Sequence, residues 1–142
     1  MPIGIVPDEA LAAELRRILD NEDTQFAAWS LRLFSNDLTP TKDTVFADLV
    51  EPTWAGYGPR TLTPAGWGAA VIVAHFATSS HGTAAVQWTN NSGAPVTVFG
   101  LMYLDPTTGT LRFVQRFDAA EIVPVDPGGT IALLPKFTYR SE

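Results

Sequence analysis

From Phe26 to the C-terminus the chain is cut into short apolar segments by turn-forming residues at near-even spacing. That pattern restricts the bulk of it to an all-β fold. Trp29, Leu31 and Leu33 alternate with Ser30 and Arg32, the period of a half-buried strand. Residues 36–44 read as a loop with Pro40 as breaker, and 45–50 as a short strand. Residues 51–64, with three prolines and two glycines, read as one long loop. Residues 68–78 and 83–89 are apolar strands, closed by the turn signal Asn90-Asn91-Ser92-Gly93. The clearest hairpin joins 95–105 to 110–118 through Asp105-Pro106-Thr107-Thr108-Gly109, where Pro presets a turn and Gly accepts positive φ. Residues 121–125 form a further candidate strand. After Asp126-Pro127-Gly128-Gly129 comes 131–139, with Ile131, Leu133, Phe137 and Tyr139 expected on one face. Seven or eight such strands predict an antiparallel β-sandwich, jelly-roll-like, over residues 26–142.

The period differs only at the start. Leu11, Leu15, Ile18 and Leu19 recur at helical spacing within residues 8–20 and form one apolar stripe. Pro7, Asp8 and Glu9 suit a first turn, because Pro lacks only a donor that is unpaired there and acids meet the positive helix end. Residues 1–25 are therefore expected to be an arm carrying a short N-terminal α-helix. Its stripe packs either on its own domain or on a neighbouring subunit.

Composition narrows the function. At 142 residues the chain builds one domain with a single core. Apolar residues are 46% of it and charged ones only 17%, below the share usual for a soluble domain. Such a surface either offers neutral area to other subunits or is covered by outward Thr and Ser. Residues 1–51 hold ten acids and four bases, whereas 52–142 hold five of each, so the acidity belongs to the N-terminal third. The nine bases are dispersed, which argues against direct nucleic-acid binding, since phosphate contacts need clustered Lys and Arg. No Cys occurs, which leaves no disulfide framework and no thiolate nucleophile. Residues 1–6 lack the basic start of a secretory signal, and no apolar stretch reaches the ~18 residues a membrane helix needs.

The search for catalytic chemistry yields little. His75 and His81, six apart with no acid between them, read as structural rather than as metal ligands. No Gly-x-Ser-x-Gly elbow occurs, and Ser79 and Ser80 read as turn residues. Asp37, Asp43, Asp48 and Glu51 are the densest acids; they read as solvated loop charges more readily than as a hydrolytic pair or a calcium loop. Gly56-Tyr57-Gly58-Pro59 lacks the ending of a phosphate loop. Asn90-Asn91-Ser92 fits a glycosylation sequon without a secretion signal to support it. Trp54, Tyr57 and Trp67 either pin the long loop onto the sandwich, the favoured reading, or stack on sugar rings. Neither a metal nor another cofactor is expected.

One resemblance goes further. The order Leu31-Arg32-Leu33-Phe34, Asn36, Thr39-Pro40-Thr41, Phe46-Ala47-Asp48-Leu49, Glu51 and Gly56-Tyr57 is similar to small virion structural proteins of tailed bacteriophages. Those also begin with a short Leu-rich helix and end on an aromatic strand, here Pro135-Lys136-Phe137-Thr138-Tyr139. The resemblance implies a non-enzymatic virion part. Its leading form is a capsid decoration (cement) protein, a homotrimer that binds the major capsid protein in the assembled shell. A tail, baseplate or fibre component touching host glycan is the alternative, and a small glycan-active enzyme using Asp48 or Glu51 the third. Neither nucleic acid nor membrane is an expected partner. Candidate subunit contacts are Leu11, Leu15, Ile18, Leu19, Trp54 and Tyr57.

Overall fold

A computed structural model describes residues 4–5, 7–10, 28–69, 71–74, 76–82 and 84–140. Nine strands are described: β1 (Trp29–Phe34), β2 (Arg60–Leu62), β3 (Val71–Val73), β4 (Phe76–Ser80), β5 (Val86–Thr89), β6 (Gly100–Leu104), β7 (Leu111–Arg116), β8 (Thr130–Leu133) and β9 (Lys136–Arg140). They form a four-stranded sheet in the order β2-β1-β6-β7, a three-stranded sheet β3-β4-β9 and a two-stranded sheet β5-β8. Every pairing is antiparallel, and the all-β sandwich expected from the alternation is what forms.

The period-two pattern of β1 explains the core. Leu31 and Leu33 point to one face of the four-stranded sheet together with Leu101, Tyr103 and Phe113, and all are buried. There they meet Trp88 of β5, with Ile131 and Leu133 of β8 and Phe137 of β9 packed against them. Tyr103 stacks on Phe113 at 5.1 Å between ring centroids, and its hydroxyl donates to the Lys136 carbonyl, tying β6 to β9. The opposite face is closed as well. Phe34, Met102, Leu111 and Val114 are buried there beneath Leu38, Phe46 and Leu49 of the 35–50 connection and Ile5 of the N-terminal segment.

Several expectations about local structure change. Residues 45–50 are not a strand: Phe46–Asp48 is a 3-10 helix, because the Asp48 carboxylate accepts the Val45 amide at 2.9 Å and closes the turn. The long loop contains β2, whose Leu62 is buried beside Trp29, while Arg60 lies over the Trp88 ring and donates to the Gln87 carbonyl. The apolar run 68–78 is two strands, folded back at Ala74, which sits at φ +48°. Ser79 and Ser80 consequently belong to β4 rather than to a turn. Residues 131–139 split at Leu134-Pro135 into β8 and β9, which lie in different sheets. Of 121–125 only Val125 pairs, in a bridge with Val96. The hairpin turn holds as read, with Gly109 at φ +72° and the Asp105 carboxylate accepting the Thr107 amide.

The N-terminal helix begins where expected, with residues 8–10 helical; its stripe Leu11, Leu15, Ile18 and Leu19 lies outside the described residues, as does His75. The segment before it lines the edge of β7. Ile5 bridges to Val114, and Gly4 sits so close to Phe113 that a Cβ there would lie 1.6 Å from the ring. Glu9 stands in the first turn of the helix and also reaches the sheet. Its carboxylate accepts the Leu111 amide at 2.6 Å, capping the free edge of β7.

Candidate interaction surface

The candidate chemical residues of the loop region are engaged in holding loops. Glu51 forms an ion pair with Arg32 at 2.8 Å and accepts the Tyr57 hydroxyl at 2.9 Å. That hydroxyl in turn accepts the Leu33 amide, so Tyr57 anchors the 51–59 loop to β1. Burial, reinforced by the hydrogen bond to Glu51, holds the Tyr57 phenol well above its ordinary titration range. Trp54 packs at 5.3 Å from Tyr57, and both are half-buried against the main core, the pinning arrangement favoured from sequence. Asp37 pairs with Arg116 at 2.6 Å, Asp43 with Lys42, and Asp48 caps its own turn. Among the described residues no group of three or more His, Asp or Glu could hold a metal ion.

His81 is likewise structural. Its ring meets Trp67 edge-on at 5.2 Å, and Nε2 lies 3.0 Å from the Thr63 carbonyl. A carbonyl only accepts, so Nε2 carries the proton and donates it. Asn90 of the apparent sequon is 1% exposed. Its amide nitrogen donates to the Ala94 and Val125 carbonyls, and its oxygen accepts from the Ser92 amide and hydroxyl. A side chain so placed is a buried turn clamp, not a glycan acceptor.

What remains open is an edge. Val71 of β3 is 62% exposed and its neighbour Ile72 is 76% exposed. Successive strand residues face opposite sides, so the β3–β4 hairpin presents apolar surface on both faces. β3 is also the terminal strand of its sheet. Along such a strand every second residue turns its N–H and C=O outward, a template for another strand.

Among the outer strands of the three- and four-stranded sheets, the other three are defended. β9, at the far side of the same sheet, carries Lys136 and Arg140. β7 is lined by Ile5 and capped by Glu9, and β2 carries Arg60. β3 has no charge, no proline and no covering segment among the described residues. The isolation is wider than the strand: from Thr61 to Leu104, 44 residues, there is no Asp, Glu, Lys or Arg. That run was the sequence signal for this surface, but whole-chain counts and the even balance after residue 52 conceal it.

Comparison with known proteins supplies no analogue: no family model matches the chain, and neither does any curated protein or solved structure.

Proposed function

We propose that this chain is a non-enzymatic structural protein that works by assembly, in its sharpest form a capsid decoration (cement) protein of a tailed-phage virion. The observation that carries the assembly reading is the uncharged apolar edge of β3, exposed on both faces. Natural sheets protect such edges because unprotected ones recruit further strands. In the three- and four-stranded sheets three outer strands are guarded and β3 is not, which favours an edge that a partner covers. The phage particle enters through the resemblance of residues 31–57 and 135–139 to small virion proteins, and a β-sandwich is the frame that resemblance implies.

In this reading the partners are the major capsid protein and further copies of the chain, and the site of action is the virion. The mechanism is mass action: a protein that binds only the assembled shell lowers the free energy of that state and so resists its disruption. The engagement of Asp48 and Glu51 in capping and ion pairing favours this role over glycan hydrolysis.

Quantitative mass spectrometry of purified particles tests it. A decoration protein is present at a copy number comparable with the major capsid subunit. A tail or fibre role gives a small fraction of that number, and absence from particles overturns the virion reading. Turnover of host polysaccharide that disappears in Glu51→Gln would overturn the non-enzymatic one.

A further inference from the structure

We infer that β3 is the seat of a two-fold contact, in which the strand pairs antiparallel with β3 of a second copy about an axis through Ile72. This deepens the assembly reading and rests on it for the claim that the edge is covered at all; it does not depend on the particle. Three observations select a second copy as the occupant.

The first is the sequence of the edge. Ala70-Val71-Ile72-Val73-Ala74 reads the same in both directions about Ile72. Two-fold antiparallel pairing sets Ile72 against Ile72 and Val71 against Val73 of the second copy. A palindromic strand therefore opposes residues of equal size at every step, as a self-complementary interface requires. The second is charge. A two-fold axis brings each residue near its own duplicate, so any charge at the edge would face a like charge. No Asp, Glu, Lys or Arg lies within ten residues of Ile72 on either side; the two histidines there, His75 and His81, are neutral at pH 7 in the formal count. β9, with Lys136 and Arg140, would meet that repulsion in the same arrangement. The third is continuity. Pairing through β3 extends the three-stranded sheet into one of six strands, β9-β4-β3 followed by β3-β4-β9 of the second copy, with both outer edges carrying Lys and Arg.

A three-residue edge covers less than the ~800 Å² per partner of a standard stable interface, so the free pair forms reversibly and depends on concentration. On a repetitive surface the same contact gains from multivalency. The contact is two-fold, which replaces the homotrimer expected from the resemblance by a dimer.

The chain's lack of cysteine makes the test clean. Opposed antiparallel residues lie about 4.5–5.5 Å apart between Cα atoms, within reach of a disulfide. The Ile72→Cys full chain should oxidise to a covalent dimer, while Val123→Cys, 53% exposed and outside the strand, should stay monomeric under the same oxidant. Sedimentation velocity should show the unmodified chain shifting from monomer to dimer through the micromolar range. Ile72→Lys should remain monomeric with an unchanged circular dichroism spectrum, because the side chain it replaces is mostly in solvent. A chain that stays monomeric throughout, a trimer mass, equal cross-linking of both cysteine variants, or a dimer that survives Ile72→Lys overturns the inference. Abundance in virions alongside a monomer in solution would sink this contact and spare the virion proposal; a dimer absent from virions would do the reverse.

Discussion

The four-stranded sheet and the β3–β4 hairpin are built from similar residues and meet opposite fates. Leu31, Leu33, Met102 and Tyr103 are fully buried, because both faces of their sheet are covered by other parts of the chain. Val71 and Ile72 are as apolar and lie in solvent. Apolar content therefore does not by itself say what is inside. Coverage does, and coverage is a property of topology. The 35–50 connection and the N-terminal segment close the outer face of the larger sheet, whereas the described chain places nothing over β3. The domain covers one sheet on both faces and leaves β3 exposed, and in the proposed reading that remaining apolar surface serves association.

The contrast is broken most forcefully by truncation on each side of it. Phe113→Ala removes a ring buried among Tyr103 and Phe137 and should cost about 3–5 kcal/mol in urea unfolding. Ile72→Ala should change monomer stability by less than about 0.5 kcal/mol, as a substitution on an exposed surface does. Comparable losses at both positions would mean that the hairpin is packed and the contrast false.

Asn90→Ala probes the turn that joins β5 to the rest of the sandwich. It leaves the Ser92 amide without its acceptor and takes one of two donors from the Ala94 and Val125 carbonyls, which keep the Ser92 hydroxyl and the Val96 amide, and should cost about 1–3 kcal/mol. Thermal unfolding at neutral pH measures it.

Ala74→Gly acts on the hairpin itself. Ala74 holds a left-handed conformation that penalises a Cβ by roughly 1–2 kcal/mol, partly offset by the greater entropy that glycine loses on folding. A net gain of about 0.5–1 kcal/mol is expected, and a loss would show that β3 and β4 do not turn there.

The smallest effect concerns the β6–β7 turn. Burial alone would raise the Asp105 carboxyl, but the Thr107 amide and the Arg112 guanidinium outweigh it and hold it below the usual carboxylate range. A depressed folded value stabilises the protein above the unfolded pKa of about 3.9, and that stability is lost as pH falls through the folded value. The Tm gap between the unmodified chain and Asp105→Asn should therefore narrow from pH 7 to pH 3. A gap independent of pH would show that Asp105 contributes only shape.

How much of this was legible in sequence follows from what each element depends on. β1 and the Asp105–Gly109 turn were readable, because alternation and turn chemistry are local. The break at Ala74 was not, since alanine is no turn signal and the apolar run passes through it unchanged. β2 is too short to alternate, and its strand character comes from Leu62 docking beside Trp29. The helical turn at 46–48 depends on a single Asp48 contact that competes with apparent strand residues. The interaction surface was half legible: the charge-free run is written in the sequence, but only the sheet order makes β3 an edge. Trp54 and Tyr57, two of the contacts expected from sequence, are half-buried in the loop they pin.

Central to the proposed function is the edge of β3 as an association surface. Hydrogen–deuterium exchange at low and high protein concentration tests that most directly. Amides of Val71–Val73 should gain protection as concentration rises, while β1 and β6 stay equally protected throughout. Fast exchange of β3 at every concentration would contradict it.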